Sequence, residues 1–153
     1  MILEAESASS HSPDSGARIH LPAGMLGLPE VTEFELVRNE DCLPIMWLRS
    51  TGSDRLNFPV VEPGPLVPNY ALELNDADAE FLGETPSSDT ALVLTVLTVK
   101  SMKPQKATIN LVGPIVINRR TLVGKQVLLA NCDRYSIEYP VIDEATSPEA
   151  ASC

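Results

Sequence analysis

The sequence predicts a mostly β fold, a small single-domain β-barrel-like structure with one short helix. Short apolar runs recur about every ten residues with glycine and proline between them, which is typical of sandwiches and barrels. Thirteen prolines in 153 residues argue against long helices. Aliphatic side chains dominate, and aromatic residues make up only 5% of the chain. A chain of this length can bury one core of its own, so a single domain is expected.

The predicted domain covers residues 18–142, with a tail on each side. Residues 1–17 are small, polar and rich in serine, and only Ile2 and Leu3 could anchor a first strand. We therefore expect a disordered or frayed N-terminal tail. Residues 143–153 have the same character and are predicted as a disordered C-terminal tail.

Nine apolar runs are predicted as strands. Residues 24–30 contain too much glycine and proline for a strand and are predicted as an ordered loop. The nine runs are residues 34–38, 43–49, 56–62, 70–74, 91–100, 107–112, 115–118, 125–130 and 135–141.

One helix is predicted over residues 76–82. Asn75 or Asp76 can cap its start, acids fill its first turn, and Gly83 can end it. Because it has only about two turns, it must be stabilised by packing. Its apolar side is predicted to consist of Ala77, Phe81 and Leu82.

Residues 91–99 are apolar on both faces of a strand, which indicates a central strand covered on both sides. One face is predicted to hold Val93, Leu97 and Val99, and the other Leu92, Leu94 and Val96.

Two apolar runs meet at the Gly-Pro step, residues 113–114. A hairpin there would place polar residues opposite apolar ones. A strand that bends but keeps its alternation separates apolar from mixed residues, so a bend or bulge at a barrel corner is predicted. This alternation puts Asn110 and Asn118 on one face. The chain is predicted to reverse afterwards, over residues 119–124, with Asn118 opposite Gln126.

Charge is unevenly distributed along the chain, whose net charge is −10. Residues 1–90 hold 16 acids and 4 bases, net −12, whereas residues 91–153 hold 5 acids and 7 bases, net +2. Because nucleic-acid phosphates would be repelled, direct nucleic-acid binding is not expected. The acidic half either speeds encounter with a basic protein or serves solubility alone.

The N-terminus lacks a basic segment followed by an apolar core, so no signal peptide is expected. The longest apolar run, residues 91–99, is too short to span a bilayer as a helix. Cys42, Cys132 and Cys153 match neither a disulfide framework nor a zinc-binding spacing, and reduced thiols are the simplest account. A cytoplasmic protein that does not enter the membrane is expected.

The sequence shows no catalytic motif. Neither His11 nor His20 has a recognisable serine or cysteine nucleophile, and no nucleotide-binding glycine pattern occurs. The acids between Glu73 and Glu80 lack EF-hand spacing and are explained by helix capping. We therefore expect no enzyme activity, no metal and no cofactor. The competing hypothesis is a small β-barrel that binds or transforms a small molecule.

Five segments, in this order and at these intervals, resemble the flagellar assembly factor FliW family. The resemblance covers residues 19–141, and its most specific part is residues 108–118 followed by Gln126-Val127-Leu128, which is similar to the family pattern T-x-N-L-x-x-P-I-x-I-N and Q-V-x-L. The segments are HLPAGMLGLPE, LNFPVVEPGPLVPNYALEL, LVLTVLTV, ATINLVGPIVIN and GKQVLL.

Three departures from the family pattern stand out. Leu21 and Leu28 occupy positions where the family usually has phenylalanine. Residues 1–17 show no match to the family's first strand, so that strand is expected to be lost or degraded, with an effect on barrel closure. Pro59 predicts an edge or a bulge in its strand.

The resemblance implies a non-enzymatic, monomeric, cytoplasmic protein with two partners. FliW-like proteins bind flagellin, and they also bind CsrA, a small RNA-binding repressor of flagellin synthesis. When flagellin is depleted, the freed FliW takes up CsrA and synthesis resumes. The two partners must compete or be negatively coupled for this switch to work.

A partner-binding surface is predicted from the acidic segment and the mixed strand face. The alternatives left open are core packing for Tyr70 and Leu74, helix capping for Asp76, and hydrogen bonding to nearby backbone for the two asparagines. The predicted residues are Tyr70, Glu73, Leu74, Asp76, Asn110 and Asn118.

Overall fold

The computed structural model describes residues 2–4, 16–53, 55–83, 90–103 and 105–143. Within these ranges it contains β-strands, one α-helix and two short 3₁₀ turns, Glu40–Cys42 and Cys132–Arg134. The helix is α1 (Asp76–Phe81). The strands are β1 (Ile2–Glu4), β2 (Ala17–His20), β3 (Glu33–Val37), β4 (Met46–Ser50), β5 (Asn57–Val61), β6 (Ala71–Glu73), β7 (Ala91–Met102), β8 (Gln105–Ile109), β9 (Ile115–Asn118), β10 (Gly124–Gln126) and β11 (Tyr139–Asp143).

The mostly β prediction with one short helix is confirmed, and each of the nine predicted runs contributes a strand. The helix is capped by Asn75, whose side chain accepts a hydrogen bond from the Asp78 N–H at 2.8 Å. The predicted apolar side of the helix is wrong for Ala77 and Phe81, although Leu82 is buried as predicted. Its buried residues are Asp78 and Ala79, with Leu82 just beyond its end, whereas Ala77 and Phe81 are exposed.

Seven strands form one continuous antiparallel path in the order β10-β9-β7-β5-β4-β3-β2. The path curls until its ends approach, and His20 forms a single parallel bridge with Val123 just before β10. No ladder follows this bridge, because the next amide, that of Leu21, donates to Thr32 instead. The expected barrel is therefore open along this seam.

The central strand β7 separates two apolar cores, as its double apolar alternation predicted. Leu92 and Leu94 belong to the core enclosed by the curled sheet, together with residues of β2, β3, β4 and β9. Val93 and Leu97 belong to a second core on the other face, which β6, β8 and the segment after β10 cover. Both faces are buried over residues 91–97, so this part of β7 is central, whereas Val99, which was predicted to be covered, is 46% exposed.

The chain does not reverse at the Gly-Pro step, which confirms the predicted bend. Both β8 and β9 pair antiparallel with β7, through Leu97–Ile109 and Leu94–Ile115. From Leu97 back to Leu94, β7 spans three residue steps. From Ile109 to Ile115 the bent strand spans six steps, so it contains three extra residues. An odd excess exchanges the two faces. The prediction of unbroken alternation is therefore wrong: Ile109 and Ile115 lie in different cores.

The reversal after β9 is tighter than predicted. Ile117 pairs with Gly124, so the predicted pairing of Asn118 with Gln126 is wrong. The Asn118 side chain accepts hydrogen bonds from the Arg120 and Thr121 amides, which draws the turn in and shortens the loop.

Part of the predicted N-terminal tail is a strand. β1 pairs antiparallel with β6 over three residues, so a first strand is present, although it joins β6 and not the large sheet. β11 pairs with β8 and ends at Asp143. The rest of the two predicted tails, residues 1, 5–15 and 144–153, lies outside the described residues.

Three smaller expectations can also be compared with the structure. β5 pairs with β7 only at Val60 and Val61, so Pro59 pairs with β4 alone, as an edge residue does.

Cys42 is disulfide-bonded and Cys132 is a free thiol, so the expectation of reduced thiols is wrong for Cys42. Among the residues with described placement, no helix has the length and apolar character needed to cross a bilayer.

Candidate partner-binding groove

Two of the six predicted partner-binding residues lie in the core. Tyr70 is 1% exposed, and its hydroxyl donates a hydrogen bond of 2.5 Å to the Leu111 carbonyl. Its ring packs edge-on against Tyr135 at 4.9 Å between centroids, and burial raises the pKa of the Tyr70 phenol far above its usual value. Leu74 is 2% exposed. Their surface placement is therefore wrong, and core packing explains both residues.

Glu73 and Asp76 are exposed, as the prediction required. The Glu73 backbone is fixed by the Asn131 side chain, whose oxygen accepts from its N–H at 3.1 Å. Asp76 begins α1, directly after the cap residue Asn75. Both carboxylates therefore sit on a rigid acidic surface at the end of β6, outside the groove described below.

The two predicted asparagines are separate and both bind nearby backbone. The Asn110 side-chain oxygen accepts from the Val112 and Gly113 amides at 3.0 Å each. The Asn118 side chain caps the turn after β9, and its amide nitrogen donates to the Leu82 carbonyl at 3.1 Å. The exchange of faces at the bend separates them, so they do not form one polar patch.

Asn110 instead lines an open groove of about 360 Å³. The groove lies between the residue 24–30 loop and the turn at Ile137 and Glu138, with β7 and β8 as its floor. We call it the Leu26 groove. Residues that line it include Leu26, Phe58, Val96, Thr108, Asn110 and Ile137.

One wall of the groove is a short hairpin formed by residues 25–28, which we call the lip. Met25 and Leu28 exchange both backbone hydrogen bonds, at 3.1 and 2.8 Å, so Leu26 and Gly27 form the tip. Gly27 has φ +85 whereas Leu26 has no positive φ, the pattern of a type II turn, which favours glycine at its second central position. Met25 is buried and Leu26 is 59% exposed, so the lip is anchored on one side and presents Leu26 on the other.

The floor of the groove is the mixed face of β7 and β8. Thr98 pairs with Thr108 across the two strands. The Thr108 hydroxyl oxygen is buried and makes no hydrogen bond within the described part of the chain. A buried polar atom without a partner is unfavourable.

The outer edge of the groove combines an ion pair with exposed apolar side chains. Lys100 pairs with Glu138. Ile137 is 63% exposed and lines the groove together with Leu26, which is 59% exposed. Exposed apolar side chains grouped around a concave surface are typical of protein–protein contact sites.

A second cavity, of about 340 Å³, bears on the small-molecule hypothesis. It is lined mainly by apolar residues, and the ionisable groups in its lining are Arg38 and Glu62. Burial raises the pKa of the Glu62 carboxyl, an effect that Arg119 at 3.9 Å opposes. The lining holds no serine, cysteine or histidine nucleophile, and the described residues hold no cluster of three or more potential metal ligands.

Sequence reasoning did not identify Leu26, Gln126 or Ile137 as site residues. Gln126 is 8% exposed, and its side chain bonds to the Leu26 amide at 2.8 Å and to the Gly113 carbonyl at 2.9 Å. The segments HLPAGMLGLPE and GKQVLL already marked two of these positions, but only the fold brings them to one groove.

Comparison with known proteins places the chain in a family. A model of the FliW protein family matches residues 4–141. The flagellar assembly factor FliW of Thermotoga neapolitana is 36% identical over 79% of this chain and 80% of its own length. Those of Geobacter sulfurreducens and Clostridium botulinum are 34% and 35% identical, over 86% and 83% of this chain and 80% and 88% of their own lengths.

A solved structure agrees with these sequence matches. The crystal structure of a flagellar assembly factor FliW superposes with a TM-score of 0.70 at 29% identity and covers 88% of this chain and 91% of that one. Fold and sequence therefore point the same way, and the chain belongs to the FliW family of flagellar assembly factors.

Proposed function

We propose that this chain binds flagellin in the cytoplasm and, when flagellin is depleted, binds and antagonises the translational repressor CsrA. Antagonism of CsrA would relieve repression of flagellin synthesis. The proposal is for a monomeric regulatory protein that needs no cofactor and performs no catalysis. Membership of the FliW family supports its flagellar part.

A single observation favours the Leu26 groove as the flagellin site. All five segments that carry the family resemblance contribute to its lining, among them HLPAGMLGLPE through Leu26, ATINLVGPIVIN through Asn110 and GKQVLL through Gln126. They are distant in sequence and come together along this lining. Core packing alone would not place a largely exposed leucine at the meeting point.

The groove suits an apolar peptide segment better than a small polar ligand. It is open and bordered by the exposed side chains of Leu26 and Ile137. An amphipathic helix could insert its apolar side chains between these two residues. The Asn110 amide would then be available to polar groups of the bound segment.

The acidic surface at Glu73 and Asp76 is the better candidate for CsrA. The formal charge of residues 1–90 is −12, and an RNA-binding protein presents basic residues to its target. Flagellin at the groove and CsrA at this surface must exclude or weaken each other for the switch to operate.

Calorimetric titration with flagellin tests the groove. The double variant Leu26→Asp, Ile137→Asp places charge on both walls, and we expect flagellin affinity to fall about tenfold or more. Val99→Asp is the matched control, because Val99 is 46% exposed on the opposite face of β7. Undiminished flagellin binding by the double variant would refute the groove as the site.

A further inference from the structure

The side chain of Gln126 connects the lip to the bend of the β8–β9 strand. Its oxygen accepts a hydrogen bond from the Leu26 N–H at 2.8 Å, and its nitrogen donates to the Gly113 carbonyl at 2.9 Å. The amide is 8% exposed and satisfied at both ends. Residues separated by 100 positions in the chain are thus joined by one side chain.

Gln126 supplies a hydrogen bond that the lip hairpin cannot make by itself. A two-residue hairpin bonds its flanking residues to each other and leaves the amide of its first tip residue unpaired. In the lip that amide belongs to Leu26, and Gln126 takes it up. The most exposed part of the lip is therefore attached to the buried part of the sheet.

The connection continues across the bend to the groove floor. The Gly113 carbonyl accepts from Gln126, and the Gly113 N–H donates to the Asn110 side chain at 3.0 Å. The peptide groups around Gly113 are thus held from both sides. Leu26, Gln126, Gly113 and Asn110 form one chain of hydrogen bonds from the tip of the lip to the floor.

We propose that Gln126 is a positioning residue for partner binding, which holds Leu26 and Asn110 in the arrangement that receives the partner. A lip already ordered in the free protein avoids the entropy cost of ordering it on binding, so affinity depends on Gln126 without direct contact. This inference rests on the proposed binding of flagellin at the Leu26 groove.

Two substitutions separate positioning from general stabilisation. Gln126→Met has similar size and makes neither hydrogen bond. Gln126→Glu keeps an acceptor for the Leu26 N–H and loses the donor to Gly113. If Gln126 acts by positioning, the lip should stay more ordered in the Glu variant than in the Met variant. A purely stabilising role predicts the reverse, because a buried carboxylate facing a carbonyl is less favourable than a buried thioether.

The experiment measures amide hydrogen exchange at Leu26 together with flagellin affinity. Gln126→Met is expected to lose protection at Leu26 and about tenfold in affinity. The Val67 amide, bonded to the Pro63 carbonyl at 2.9 Å in the second core and remote in sequence from Gln126, should stay protected as an internal control. Gln126→Glu is expected to keep both protection and affinity within about threefold of the wild type. If the Glu variant does not fold, Gln126→Met decides alone: loss of protection at Leu26 with unchanged protection at the control amide supports positioning, and equal loss at both amides overturns it.

The outcomes distinguish this inference from the proposed function. Flagellin binding by Gln126→Met at wild-type affinity, with Leu26→Asp, Ile137→Asp still defective, overturns the positioning role and leaves the groove standing. Affinity that follows global stability across the variants, with Glu worse than Met, also overturns it. Failure of the wild type to bind flagellin, or full binding by Leu26→Asp, Ile137→Asp, removes the proposed function and this inference with it.

Discussion

At the scale of single residues, two glycines of the 24–30 loop play different parts. Gly24 has φ +69, and a Cβ there would approach Pro29 Cα to 2.6 Å and also collide with the Leu28 carbonyl. Gly27 has φ +85, but a Cβ there would meet no atom within 4 Å. Gly24 is thus required by both backbone conformation and space, whereas Gly27 is required by conformation alone.

The first prediction compares alanine at these two positions. Gly24→Ala should lower the free energy of unfolding by roughly 2–3 kcal/mol, because backbone strain and a steric clash add. Gly27→Ala should cost about 1 kcal/mol from strain alone. Urea denaturation of both variants measures the difference. Equal losses would show that the close approach at Gly24 does not constrain the loop.

How far residue roles could be read from the sequence depends on how local their contacts are. The asparagines were correctly recognised as possible backbone-binding residues, because an Asn110 or Asn118 side chain reaches amides two or three positions ahead. The role of Gln126 was not visible, because its partner Leu26 is 100 positions away. Tyr70 was misplaced for the same reason: its hydroxyl partner, Leu111, becomes a neighbour only in the fold.

The second prediction concerns Glu62, whose pKa is raised by burial. The folded state therefore binds this proton more tightly than the unfolded state, so stability falls as pH rises from the unfolded pKa through the raised folded value. Glu62→Gln should remove this loss and be more stable than the wild type at neutral pH, by less than about 1 kcal/mol, because the site is partly exposed and Arg119 lies nearby.

Thermal unfolding of both proteins at several pH values tests the Glu62 prediction. The two melting temperatures should converge at acidic pH, where the wild-type carboxyl is protonated, and separate as the pH rises towards neutrality. A gap that is constant with pH would show that proton binding at Glu62 is not its cause.

At the scale of elements, helix α1 is attached by a polar contact. Asp78 on α1 pairs with Lys125 on β10 at 2.6 Å, and the Asp78 side chain is only 6% exposed. The Lys125 ammonium also lies 5.9 Å from the centre of the Phe81 ring. This explains why the helix turns Asp78 inward and leaves Phe81 partly exposed, against the apolar pattern.

The third prediction is that Lys125→Met will destabilise the protein by roughly 2 kcal/mol. Removing the lysine leaves the buried Asp78 carboxylate without its partner, and the one-third exposure of Lys125 moderates the cost. Chemical denaturation measures the change, and the double variant Asp78→Asn, Lys125→Met should recover part of it. A single variant as stable as the wild type would mean that α1 is held by its apolar contacts alone.

Strand locations were more predictable than strand pairings. Alternation and turn residues located the predicted runs, because each signal is contained within a few residues. The face exchange at the bend and the pairing of β9 with β10 depend on how many residues the loops absorb. The Asn118 cap and the tight approach of Gly124 to Val116 set that number, and both require the folded geometry.

At the scale of the whole molecule, the open seam and the two cores have one cause. β7 and its neighbours are covered on both faces, so the sheet cannot close simply around a single interior. In the described part of the chain the backbone bridge between His20 and Val123 spans the seam, while β6, β11 and Leu82 after α1 cover the outer face. Among the described charged residues only Asp78 is buried, and the exposed acids of the first half include Glu73 and Asp76.

The last prediction tests whether the position of this charge matters for the proposed CsrA binding. The double variant Glu73→Lys, Asp76→Lys should slow association with CsrA about tenfold at low salt without unfolding the domain, because both side chains are exposed. The pair Glu40→Lys, Asp41→Lys, also exposed, makes the same change in net charge elsewhere and is the matched control. Stopped-flow association at increasing salt separates two cases. If local charge directs the encounter, only the first pair slows association strongly and the difference shrinks as salt screens it. Equal slowing by both pairs would assign the effect to net charge, and no slowing by the first pair would remove the acidic surface from the proposal.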